Sequence, residues 1–137
     1  MDMFEQFTLN TDGGARGNPG PSAIGGVIKN SSGEVVKQFK EYTGVSTNNV
    51  AEYSALIEGL SIAIDLKIKA ISCFLDSELV VKQLNGVYRV KDENLKRLYL
   101  KVLGLKSKFK QISFNHVRRK DNSLADKLVN EALDGNK

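Results

Sequence analysis

The hydrophobic period of this chain changes between residues 43 and 50, and that change limits the folds open to it. Over residues 4–11 the apolar Phe7 and Leu9 stand between polar neighbours, the period-two pattern of a strand. A second strand is predicted over 23–29 and a third over 34–43, joined by the hairpin signal Asn30-Ser31-Ser32-Gly33. The pattern then switches: Val50, Tyr53, Ile57, Leu60 and Ile64 recur at spacings of three and four, as on one helix face. Ser46-Thr47-Asn48-Asn49 supplies N-cap candidates, and Ala55 and Gly59 are small enough to bring that helix close to a sheet. Further along, 70–75 reads as a short buried strand and 77–84 as a short helix ended by Asn85-Gly86. Leu95, Leu98, Val102, Leu105 and Phe109 mark a helix over 94–108, 111–116 a fifth strand, and Asn122 or Ser123 the cap of a last helix burying Ala125, Leu128, Val129 and Ala132. The order β-β-β-α-β-α-α-β-α makes an α/β chain, and 137 residues suit a single domain, 1–137.

Composition sets the class of partner. The net charge of +4 hides an asymmetry: residues 82–120 carry twelve Lys or Arg against two acids, whereas residues 1–81 carry six against ten. A basic block beside an acidic one suggests a polyanion gripped by one part and processed by another. Cys73 is the only cysteine, so no internal disulfide is available, and its run Ile71-Ser72-Cys73-Phe74-Leu75 reads as buried core. No apolar run reaches the roughly 18 residues of a membrane span. Met1-Asp2-Met3-Phe4-Glu5 lacks the positive and apolar regions of a signal peptide, so a cytoplasmic location without a membrane is the expectation, with monomer as the default state.

Strand direction brings the acids together. If the first strand runs up and ends at Asp12, the second runs down, the third up, and the helix after Asn48 starts at the top. An ordinary crossover then sends the fourth strand up to end at Asp76. Asp12, Glu52 and Asp76 therefore share one sheet edge, and an upward fifth strand adds Arg118, Arg119 and Asp126. Like charges so placed repel unless cations relieve them, and oxygen-only ligands favour Mg²⁺ or Mn²⁺ over zinc. Each acid also has a local explanation: Asp12 as a turn residue before Gly13-Gly14, Glu52 as a capping-box partner of Asn49, Asp76 as a helix cap, Asp126 as an acid suited to a helix dipole. Those explanations leave the shared edge unaccounted for.

Four motifs in order carry a resemblance: Thr11-Asp12-Gly13-Gly14-Ala15-Arg16-Gly17-Asn18-Pro19-Gly20-Pro21, Ser46-Thr47-Asn48-Asn49-Val50-Ala51-Glu52, Asp76-Ser77-Glu78-Leu79-Val80, and the stretch from Asn122 through Asp126 to Ala132. Over 7–133 the chain resembles type 1 ribonuclease H, in its compact archaeal and bacterial branch. The resemblance implies a ribonuclease H-like, five-stranded mixed sheet flanked by helices. It implies an endoribonuclease that hydrolyses the RNA strand of RNA–DNA hybrids with two Mg²⁺ ions, or Mn²⁺, leaving 5′-phosphate and 3′-hydroxyl ends. Asp12, Glu52, Asp76 and Asp126 match the family's metal-binding carboxylates. Asn18 and Thr47 match positions holding a DNA-strand phosphate, and Gly14, Ala15, Asn48 and Asn49 those facing the RNA strand, where 2′-hydroxyls are read.

Three departures accompany it. The loop before the last helix reads Arg118-Arg119-Lys120-Asp121, without the histidine many members carry, and Arg119 is the candidate substitute. Glu78 stands where some members have Gln, and the basic protrusion of larger members is absent, which places hybrid affinity on Arg89, Lys91 and the lysines of the 94–108 helix. His116, the only histidine, reads as a structural strand end. The competing functions are a catalytically weak hybrid- or double-strand-binding module of the same fold, and an integrase- or exonuclease-like enzyme acting on DNA. Double-stranded RNA stays open as a further substrate.

Overall fold

The computed structural model describes residues 4–136; the reading of Met1-Asp2-Met3 as lacking a leader lies outside them. The elements are β1 (Gln6–Ala15), β2 (Gly20–Lys29), β3 (Val35–Ser46), α1 (Asn48–Asp65), β4 (Ala70–Leu75), α2 (Glu78–Leu84), α3 (Glu93–Lys106), β5 (Gln111–His116), a 3-10 turn (Arg119–Asn122) and α4 (Ser123–Gly135). They form a five-stranded sheet in the order β3-β2-β1-β4-β5. The first three strands pair antiparallel, while β4 lies parallel to β1 and β5 parallel to β4. β1, β2 and β3 therefore run up, down and up, and β4 and β5 both run up, as the order of elements predicts.

Most of the core lies on the sheet face covered by α1, α2 and α3. There Leu9, Ile28, Leu56, Leu60, Ile71, Cys73, Leu75, Val80 and Val102 are fully or almost fully buried. A smaller cluster on the other face packs α4 through Val129 and Leu133 onto Ala23. Among the described residues no helix is long and apolar enough to cross a membrane.

Two local expectations need correction. β1 does not stop at residue 11 but runs on through Asp12-Gly13-Gly14-Ala15, with Asp12 paired to Gly25 of β2. The glycines signal close packing here, because a Cβ on Gly13 would stand 2.1 Å from the Ala51 carbonyl oxygen of α1. Asp12 is thus a buried strand residue rather than a turn residue. The α1 stripe also differs: Val50, Ile57 and Ile64 are half-buried, and Ala51, Glu52, Ala55, Leu56, Gly59, Leu60 and Ala63 face inward. α1 packs against both the sheet and α3, so its buried surface is wider than one stripe. Thr47, Ser77 and Asp92 cap α1, α2 and α3, accepting from Val50, Val80 and Leu95 N–H. Asp76 and Glu52 are therefore not needed as caps.

Candidate active site

β1 and β4 deliver the first two acids. Their parallel ladder ends at the pair Thr11 and Leu75, so the next residues along, Asp12 and Asp76, arrive side by side. Glu52 stands in the second turn of α1, which the bare Gly13 backbone allows to approach β1. Gly13 N–H donates to Glu52 Oε1 at 3.0 Å. One carboxylate oxygen from each of Asp12, Glu52 and Asp76 lies within 4.8 Å of the others. Asp12 is 7% exposed and Glu52 6%, while Asp76 is half-buried.

Burial, with this crowding, shifts the protonation of Asp12 and Glu52. Burial raises Asp12 to about 6, helped by the charges of Asp76 and Asp126 and opposed by the adjoining Glu52 carboxyl and by Arg119. Glu52 is raised well above its ordinary value, first by burial and then by Asp12, against the pull of the Gly13 N–H. Its Oε2 is buried without a hydrogen-bond partner. Three crowded carboxylates with an unsatisfied buried oxygen, and no His or Cys among them, fit a hard divalent cation.

Asp126 does not join this tight group. It lines the same open cavity of about 430 Å³, from the first turn of α4. There it accepts from Arg119 Nη2 at 3.2 Å, so three acids converge and the fourth stands at the rim with Arg119. The Arg119 guanidinium is otherwise exposed, and its charge reaches Asp12.

Amide side chains frame the opposite wall. Ala15 N–H donates to Asn48 Oδ1 at 2.8 Å, and Asn48 N–H donates to Asn18 Oδ1 at 3.0 Å. The β1–β2 turn is thereby stitched to the start of α1. Gly14, Ala15, Asn48 and Asn49 line the cavity with the acids, whereas Asn18 and Thr47 lie beside it. Glu78 is held by Lys82 at 2.7 Å, which lowers its pKa, and His116 is exposed at the end of β5.

Three features escape sequence reasoning. Asn122, expected as a helix cap, makes no capping bond; it is 2% exposed and reaches Thr11 and Asp76 instead. Its one signal is Asn10, a polar residue in β1 sharing the sheet face of Asp12. Arg16 also lines the cavity, tied to Asp134 at 2.7 Å and to Asn130. The basic block, moreover, is split by the topology. β4 and β5 begin at the end opposite the acids, where Lys110 N–H donates to the Lys69 carbonyl, so Lys106, Lys108 and Lys110 cluster away from the cavity.

Known proteins match this arrangement. A family model described as reverse transcriptase-like matches residues 10–132. Ribonuclease HI of Halobacterium salinarum is 43% identical over 123 residues, covering 90% of this chain and 62% of its own length. The crystal structure of RNase H1 from the same organism superposes with a TM-score of 0.93 at 41% identity, covering 95% of this chain and 98% of that one. The chain belongs to the ribonuclease H family. Within it the likeness is to type 1 members: LC11-RNase H1, solved in complex with an RNA/DNA hybrid, gives a TM-score of 0.90 at 42% identity over 94% of this chain and 97% of that one. A bifunctional protein of Mycobacterium tuberculosis is 41% identical over 94% of this chain, which spans only 36% of that relative's length. Ribonuclease H architecture thus accounts for the sheet order and for the edge where the acids meet.

Proposed function

We propose that this chain is a metal-dependent endoribonuclease that hydrolyses the RNA strand of RNA–DNA hybrids, leaving 5′-phosphate and 3′-hydroxyl ends. The observation that carries the reading is the convergence of Asp12, Glu52 and Asp76 around an unsatisfied buried oxygen, in a cavity walled by amides. Asp12, Glu52 and Asp76, with Asp126 from the rim, would hold two Mg²⁺ ions, with Mn²⁺ able to replace them. When bound, such a pair activates water and stabilises the leaving oxygen at phosphorus. Asn48 and Asn49, with the Gly14 and Ala15 backbone, face the RNA strand, where a side-chain amide both donates to and accepts from a 2′-hydroxyl. Asn48 Oδ1 is already held by Ala15 N–H, which leaves its NH₂ free to donate. Thr47 accepts from Val50 N–H and keeps its hydroxyl proton for a DNA-strand phosphate, beside Asn18. Arg119 takes the place of the loop histidine, its position set by Asp126. The same reading takes 1–137 as one catalytic domain, acting as a cytoplasmic monomer.

The test is cleavage of end-labelled hybrid, double-stranded RNA and double-stranded DNA, each with Mg²⁺, Mn²⁺ or chelator. The expected result is metal-dependent cutting of the hybrid's RNA strand, with Asp12→Asn and Asp76→Asn folded and inactive. Binding without cutting would turn the reading to a hybrid-binding module, and cutting of all-DNA duplex to a DNA-directed enzyme. Full turnover by either variant would contradict the assigned carboxylates.

A further inference from the structure

We infer that Asn122, oriented by Asn10, is a positioning residue for Asp76. The inference rests on the proposed metal-dependent site and adds two residues to it.

Asp76 follows the last residue of β4, outside the ladder, and the cap of α2 is Ser77. Neither element therefore fixes its carboxylate. Asn122 does: its Nδ2 donates to Asp76 Oδ2 at 3.1 Å and to the Thr11 carbonyl at 2.9 Å, where the β1–β4 ladder ends. Its Oδ1 accepts from Asn10 Nδ2 at 3.0 Å. Two donated bonds and one accepted bond define the amide plane, and Asp76 cannot rotate without breaking one of them. Only a side-chain amide of this length offers both roles; a carboxylate at 122 would lose the donors and add a charge against Asp76. The residue is almost wholly buried, so water does not replace a lost bond cheaply.

The position has a second consequence. Asn122 ends the 3-10 turn that carries Arg119 and precedes α4, which carries Asp126. One amide thus anchors the rim pair of Arg119 and Asp126 to the strand edge bearing Asp12 and Asp76. Asn10 acts on the site through Asn122, two residues before Asp12 on the same face of β1.

The test uses the whole chain with Asn122→Ala and Asn10→Asp. Calorimetry with Mn²⁺ reads metal affinity, thermal melting reads folding, and hybrid cleavage separates kcat from KM. Loss of a group that orients a metal ligand typically weakens metal affinity or activity about 10–100-fold, the range expected for Asn122→Ala in both Mn²⁺ affinity and kcat. Asn10→Asp is expected to move both the same way by roughly 3–10-fold, because the amide loses its orienting donor. KM, and hybrid binding in chelator, should stay within about twofold, since neither residue faces the substrate walls. Unchanged Mn²⁺ affinity and kcat in folded Asn122→Ala would overturn the inference, as would a lowered melting temperature alone. Should Asn122→Ala fail to fold, Asn10→Asp decides by the same readouts. A wild-type chain that binds Mn²⁺ but never cuts hybrid would sink the proposed function, while the affinity measurements would still judge Asn122.

Discussion

A methyl group at position 13 would overlap the Ala51 carbonyl and the Glu52 backbone nitrogen, at 2.1 and 2.6 Å. Neither clash is with a flexible side-chain end, so α1 or β1 must shift. Gly13→Ala is therefore expected to cost roughly 2–4 kcal/mol in denaturant unfolding, and to weaken metal binding by displacing Glu52. Unchanged stability would show that the close approach is not needed. The neighbouring acids give a pH dependence of unusual sign. Between the ordinary 3.8 and about 6, folded Asp12 holds more proton than unfolded Asp12, so in chelator its contribution to stability falls as pH rises through that window. Glu52, also raised, acts in the same direction. Relative to wild type, metal-free Asp12→Asn should gain stability on the order of 1–3 kcal/mol by pH 7 while matching it near pH 4. Parallel melting-temperature curves for the two proteins across that range would refute the raised Asp12 pKa that burial and the neighbouring acids produce.

At the scale of elements, the β1–β2 turn and the start of α1 act as one wall through the Ala15–Asn48 and Asn48–Asn18 bonds, while the end of β4 and the 3-10 turn make the other. The division of the basic block has a measurable outcome. Changing Lys106, Lys108 and Lys110 together to Gln should leave the salt dependence of hybrid binding nearly unaltered. Changing Arg89, Lys91 and Lys96, on the connection into α3 and its first turn, should reduce the slope of log K against log salt by up to about 0.9 for each phosphate that is no longer neutralised. Equal effects from the two triples would contradict the split. The meeting of Asp12 with Asp76 was legible in the sequence because a hairpin pair followed by a helical crossover leaves few choices of strand direction. The extension of β1 was not, since Gly13-Gly14 carries the same local signal in a turn as at a tight helix–strand approach. Asn122 was hidden in a similar way, because a helix cap and a buried amide hub require the same residue type. The split of the lysines depends on which end of the sheet a loop occupies, which charge counts along the chain do not record.

The whole molecule can be described as a sheet whose one edge gathers acids from four segments spread between residues 12 and 126. The main core lies on the α1–α3 face, away from the Asp12 side chain, so the acids can crowd without lying inside the packed apolar cluster. This separation is why replacing a single acid by its amide should spare the fold. Divalent-cation binding tests that arrangement most directly. In a calorimetric titration of the metal-free chain with Mn²⁺ at neutral pH, wild type should show saturable binding, lost or at least tenfold weaker in Asp12→Asn, Glu52→Gln and Asp76→Asn alike, as expected when a coordinating charge is removed. Mn²⁺ binding that survives all three substitutions unchanged would contradict the account at its centre.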